Sequence, residues 1–174
     1  MKRWNVYRGT RLSPDGNLVL MGGIGANISG MWAFEMNSHV LRRLLPSAAG
    51  SFIWSRDGSQ LLFQTGVNQK LNRLSMQAAD LSGMARTLHD FGESREWRIS
   101  DISPDGALIG LTVEGDLLTL GLEEGAALTP FLATPADEAG LRFSPDGRYV
   151  TYTSDATGRY EVYVAKFPGP GGKW

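Results

Sequence analysis

The chain has 174 residues, 42% of them hydrophobic and 20% charged, which suits one folded domain and excludes wholesale disorder. Lys plus Arg is 17 and Asp plus Glu is 18, for a net charge of −1, so electrostatics make no case for nucleic acid or an anionic membrane as partner. With no cysteine there is no disulfide, thiolate zinc site or thiol nucleophile, and 22 glycines call for many turns.

Taken in order, the first element is a short strand at Trp4-Asn5-Val6-Tyr7. The two basic residues after Met1 lead into no apolar stretch, so no signal peptide is expected, and no apolar window is long enough for a membrane-spanning helix. Next comes Ser13-Pro14-Asp15-Gly16, which returns as Ser55-Arg56-Asp57-Gly58, Ser103-Pro104-Asp105-Gly106 and Ser144-Pro145-Asp146-Gly147, at intervals of 42, 48 and 41 residues. An apolar residue precedes each copy: Leu12, Trp54, Ile102 and Phe143. A β-rich run follows each: Leu18–Leu20, Leu61–Phe63, Leu108–Leu111 and Tyr149–Tyr152. Second runs lie at Met31–Phe34, Leu71–Leu74, Leu117–Leu120 and Val162–Val164, and three repeats add a further strand at Val40–Leu45, Ala85–Leu88 and Leu128–Leu132. Leu74–Leu81 is the best local helix candidate. The chain closes on the Pro/Gly-rich turn Phe167–Gly172, which points toward another strand.

The turn has a physical basis. Proline at the second position fixes φ for a type I turn, aspartate bonds its own backbone, and glycine takes the left-handed conformation that closes the hairpin. Arg56 in place of proline leaves that hairpin intact but less rigid. A period of roughly 40–50 residues is that of propeller blades. The expected fold is all-β: a β-propeller of about four blades of antiparallel strands, as a four-bladed ring or a partial propeller. The chain reads as a single domain, 1–174, with blades at 9–50, 51–98, 99–139 and 140–174. Residues 1–8 are expected to complete the last blade, Trp4–Tyr7 pairing beside Val162–Lys166 to close the ring. The alternative is an open arc that pairs with a second copy, because open edges must be covered.

Leu141-Arg142-Phe143-Ser144-Pro145-Asp146-Gly147-Arg148-Tyr149-Val150 resembles the WD40-like (PD40) repeat of TolB-type β-propellers. The tail from Gly158 to Val164, followed by Phe167–Trp174, is similar to the propeller found C-terminal to bacterial serine/threonine kinase domains. The resemblance runs from about Arg11 onward and implies a sensing or interaction domain of a bacterial signalling protein, extracytoplasmic in its parent. Family members usually close six or more blades. No kinase element is present in this sequence.

Little in the sequence points to chemistry. The strand–turn–helix motif Gly-x-Ser-x-Gly is absent, and His39 and His89 read as loop residues, so no catalytic residue is assigned. Asp15, Asp57, Asp105 and Asp146 are turn formers by their recurrence, not a metal set, and Asp155–Glu161 reads as a hairpin, not a calcium loop. Glu114-Gly115-Asp116 reads as a tight turn, and Gly22-Gly23-Ile24-Gly25 as a loose hairpin without the Lys-Ser/Thr of a phosphate loop. Trp32, Trp54, Phe143, Tyr152 and Tyr163 read as core. Candidate contact residues are Trp97 and Arg98, in the charged linker Asp90–Arg98, and Arg11, Asp101 and Arg142, whose place in the repeat would give a central channel a polar lining.

The expectation is a non-enzymatic binding module for a protein or small-molecule ligand, without cofactor or metal. Neither nucleic acid nor membrane insertion is expected, and the open blade edges give scope for self-association. The alternatives are an accessory propeller of a prolyl-oligopeptidase-like hydrolase, or a fragment with a structural role only.

Overall fold

Each of the four tetrapeptides folds into the same turn. In the computed structural model, which describes residues 6–24, 30–46, 50–66, 71–92 and 96–169, the glycine N–H donates to the serine carbonyl three residues back. Those bonds are 2.9 Å at Gly16, 3.0 Å at Gly58, 2.9 Å at Gly106 and 2.9 Å at Gly147. All four glycines sit at φ between 70° and 75°, where a side chain would be strained. Arg56 changes none of this, so aspartate and glycine suffice to shape the turn, with proline only restricting the unfolded chain.

The described residues form fifteen strands and no helix, so no helix is long and apolar enough to cross a membrane. The chain divides into two units, Met1–Ser94 and Arg95–Trp174. The first unit holds two four-stranded antiparallel meanders. One is β1 (Val6–Leu12), β2 (Leu18–Ile24), β3 (Gly30–Glu35) and β4 (Val40–Leu45). The other is β5 (Phe52–Trp54), β6 (Gln60–Thr65), β7 (Arg73–Ala78) and β8 (Arg86–Asp90). Leu20, Met31 and Ala33 of one sheet and Phe52, Trp54, Leu61 and Phe63 of the other make one buried cluster.

The second unit holds the meander β9 (Trp97–Ile102), β10 (Leu108–Val113), β11 (Asp116–Gly121) and β12 (Leu128–Leu132). Beside it is a three-stranded sheet of β13 (Glu138–Phe143), β14 (Tyr149–Ser154) and β15 (Glu161–Lys166). Leu117 and Phe131 pack with Leu141, Phe143, Val150, Tyr152 and Ala165. Gly110 makes room for this, since a Cβ there would stand 2.7 Å from Leu141 Cδ2.

Val6 and Tyr7 begin β1 and pair with Ile24 and Gly23 of β2, while Trp4 and Asn5 lie outside the described residues. The reason is Gly9, whose φ of 63° places a β-bulge at the register shift between Arg8 and Thr10, so one strand runs through it. Gly140, at the same place in the last repeat, does likewise with φ 71°. Leu74–Leu81 is not helical: β7 alternates across its sheet through Ala78, pairing with β6 and β8.

The other hairpins follow their residues. Glu114 and Gly115 take φ of 51° and 88°, the two left-handed residues of a type I′ turn between β10 and β11. Gly158 donates to the Asp155 carbonyl at 2.7 Å, closing a hairpin turn into β15. Gly25 lies outside the described residues, but Gly22 and Gly23 are in β2.

Candidate functional site

In all four repeats the turn serine and aspartate form one hydrogen-bonded unit. The serine hydroxyl donates to the aspartate Oδ1, at 2.5 Å from Ser13, 2.6 Å from Ser55, 2.5 Å from Ser103 and 2.6 Å from Ser144. Its oxygen also accepts the backbone N–H five residues on, at 2.9 Å from Leu18, Gln60 and Leu108 and 3.0 Å from Tyr149. The aspartate Oδ1 also accepts a backbone N–H, from Asn17, Ser59, Ala107 or Arg148. Donors aimed at the ionised form favour it. The serine hydroxyl is the leading cause at each turn, holding Asp15, Asp105 and Asp146 below the usual carboxylate range and Asp57 down to about 2.

Successive turns within each unit border a cleft. In the first unit it is about 340 Å³ and is lined by Pro14, Asp15, Arg42, Trp54, Asp57 and Asp80, among others. Asp80 is also held low, by the Ser82 hydroxyl and N–H. Arg42 pairs with Glu35 at 3.0 Å. Trp54 is buried, and its indole N–H is a buried donor with no acceptor. Leaving such a donor unpaired costs about 1–3 kcal/mol. The corresponding cleft in the second unit is smaller, about 220 Å³, with Phe143 in the place of Trp54 and Phe167 edge-on to it at 5.1 Å. Phenylalanine has no polar atom to leave unsatisfied there.

The residues singled out from sequence are placed differently. Trp97 is buried at the start of β9, opposite Val113, and is not in a loop. The signal was the alternation Trp97-Arg98-Ile99, which suits a half-buried strand better than a linker. Arg98 is exposed and pairs with Glu96 at 2.9 Å. Asp101 is buried, and its Oδ2 accepts the Phe143 N–H at 3.0 Å, tying β9 to β13. Arg142, beside Phe143, is exposed. Arg11, half-buried on β1, donates from Nη1 to the Thr10 carbonyl at 2.9 Å. His39 turns the chain between β3 and β4 with φ 58°, and His89 lies within β8, edge-on to Phe91.

Trp54, Phe143 and Tyr152 are buried, while Trp32 and Tyr163 are half-buried, Tyr163 stacking on Tyr152 at 5.6 Å. Sequence reasoning passed over Glu138, which is buried at the start of β13. Its Oε1 accepts from Thr134 Oγ1 at 2.5 Å and Ser154 Oγ at 3.4 Å, while Oε2 is buried without a partner. Its position in the repeat carries no acid elsewhere, so no recurrence marked it.

Comparison with solved structures identifies the architecture. The chain aligns with TolB from Agrobacterium tumefaciens at a TM-score of 0.79 and 17% identity, over 97% of this chain and 61% of that one. With TolB from Acinetobacter baumannii the values are 0.74 and 14%, over 93% and 41%. A chain of a nidogen–laminin complex gives 0.75 and 14%, over 97% and 64%. This chain therefore spans less than two thirds of each of those chains. No family model and no curated protein matches the sequence. The fold is all-β, a TolB-like β-propeller built, among the described residues, from four antiparallel sheets.

Proposed function

We propose that this chain is a binding module without catalysis of its own, the sensing or interaction part of a bacterial signalling protein that lies outside the cytoplasm. The kinase-associated context is supported by the likeness of the Gly158–Trp174 tail. The propeller likeness supports a rigid scaffold that presents clefts and loops.

The observation that carries the reading is the cleft bordered by Asp15, Asp57 and Asp80 and lined by Trp54. A cationic side chain would suit three carboxylates against one arginine already paired with Glu35. The ligand class is a short basic peptide segment.

Calorimetric titration with capped lysine- or arginine-bearing peptides, against glutamate-bearing peptides of equal length, tests this. The basic set should bind, and Asp80→Asn, which removes one carboxylate from the cleft, should weaken that binding. Equal response to both sets, or an affinity that Asp80→Asn leaves unchanged, would overturn the reading.

A further inference from the structure

The two clefts are built from the same repeat positions, which allows them to be compared residue by residue. Each residue lining the second cleft has its repeat counterpart in the first, and the first adds Arg42 and Asp80. Most counterparts are identical in type, and two differ. Trp54 stands where the second cleft has Phe143, and Ala79 stands where it has Phe167.

The register fixes the equivalence of Ala79 and Phe167. Ala78 pairs with Gln60 and Lys166 with Tyr149, each partner being the fifth residue after its turn serine. The N–H of the next residue then donates to the carbonyl just before that partner, Ala79 to Ser59 at 2.8 Å and Phe167 to Arg148 at 2.9 Å. Each of the two packs against the buried cluster of its own unit. Met36 and Leu122 make the same bond in the other two repeats, to Asn17 at 2.9 Å and Ala107 at 3.1 Å. Ala79 is thus a small side chain at a position that the other repeats fill with methionine, leucine or phenylalanine.

The first cleft is about 340 Å³ and the second about 220 Å³. Tryptophan is larger than phenylalanine, so the exchange at Trp54 runs the wrong way to explain this. The exchange at Ala79 runs the right way. The Phe167 ring lines the second cleft, its centroid 5.1 Å from that of Phe143 and 5.7 Å from that of Phe131, whereas the Ala79 side chain ends at Cβ. We propose that Ala79 is the specificity-determining residue of the first cleft. Its methyl group leaves the space that a lysine or arginine side chain enters beside Asp15, Asp57 and Asp80, and Phe167 fills that space in the second unit. The proposal rests on the basic-peptide reading and adds to it which cleft is open and what keeps it open. The chain then takes one basic segment although it has two clefts with paired turn aspartates.

Calorimetric titration of the full chain with capped lysine- or arginine-bearing peptides tests it, on the wild type and on Ala79→Ser, Ala79→Leu and Ala79→Phe. Leucine and phenylalanine stand at this position in other repeats, so both suit the fold, and the urea midpoint of each variant checks that it is folded. The wild-type chain should take one peptide. Ala79→Leu and Ala79→Phe should each weaken binding about tenfold or more, and Ala79→Ser, of nearly the same volume, by less than about twofold. Phe167→Ala with Pro168→Asp gives the second cleft the Ala79-Asp80 pair of the first and should raise the stoichiometry to two. Unchanged affinity in folded Ala79→Leu and Ala79→Phe, a loss in Ala79→Ser as large as theirs, or a single site in the folded double variant would overturn the proposal and leave the basic-peptide reading standing. A wild-type chain that binds no basic peptide would overturn that reading and the role of Ala79 with it.

Discussion

At the scale of the residue, one serine and one aspartate organise each hairpin. The aspartate binds its proton less readily folded than unfolded, because the serine hydroxyl and a backbone N–H stabilise the ionised form. Its contribution to stability is therefore complete above the ordinary value of 3.8 and is lost as pH falls toward about 2, the value at Asp57. The melting temperature should be level above about pH 5 and fall steeply below 4, since all four turns titrate the same way. Asp57→Asn should remove part of that acid slope. A melting temperature that stays level to pH 2 would contradict the coupling. The tetrapeptide was legible because proline, aspartate and glycine have strong turn preferences. The serine's part was not, because the N–H it accepts lies five residues away and is brought back only by pairing of the flanking strands.

At the scale of the element, strand positions followed the hydrophobic pattern where strands are simple. Val40–Leu45 and Leu128–Leu132 are β4 and β12 with the expected bounds. The pattern failed where a strand carries a bulge or polar residues. Gly9 hid the continuity of β1, and Ser75 and Gln77, both buried in β7, broke the apolar run that would have marked it. Packing between sheets also depends on what is absent from a strand. Gly110 on β10 is buried against Leu141 and Phe143, with no room for a methyl group. Gly110→Ala should destabilise the chain by about 1–3 kcal/mol through overpacking, read as a lower urea midpoint with unchanged slope. Neutral behaviour would mean that β13 shifts freely against β10.

At the scale of the whole molecule, sheets of one repeat type are covered or exposed according to their neighbours. The pair Met31 and Trp54, and the pair Leu117 and Phe143, are buried because another sheet follows theirs. Leu12 and Val162 have the same repeat positions and are exposed.

By itself the sequence determined the period, the four turns, the antiparallel meanders and hence the propeller class, because these rest on local preferences and on alternation along single strands. Only the tertiary structure decided that Trp97 and Asp101 are buried, that the Trp54 N–H is buried without an acceptor, and that Val162 is exposed where Leu117 is not. Burial at equivalent positions depends on which sheet stands opposite, and nothing local to a repeat encodes its neighbour. The same repeat position is core in one sheet and exposed in another.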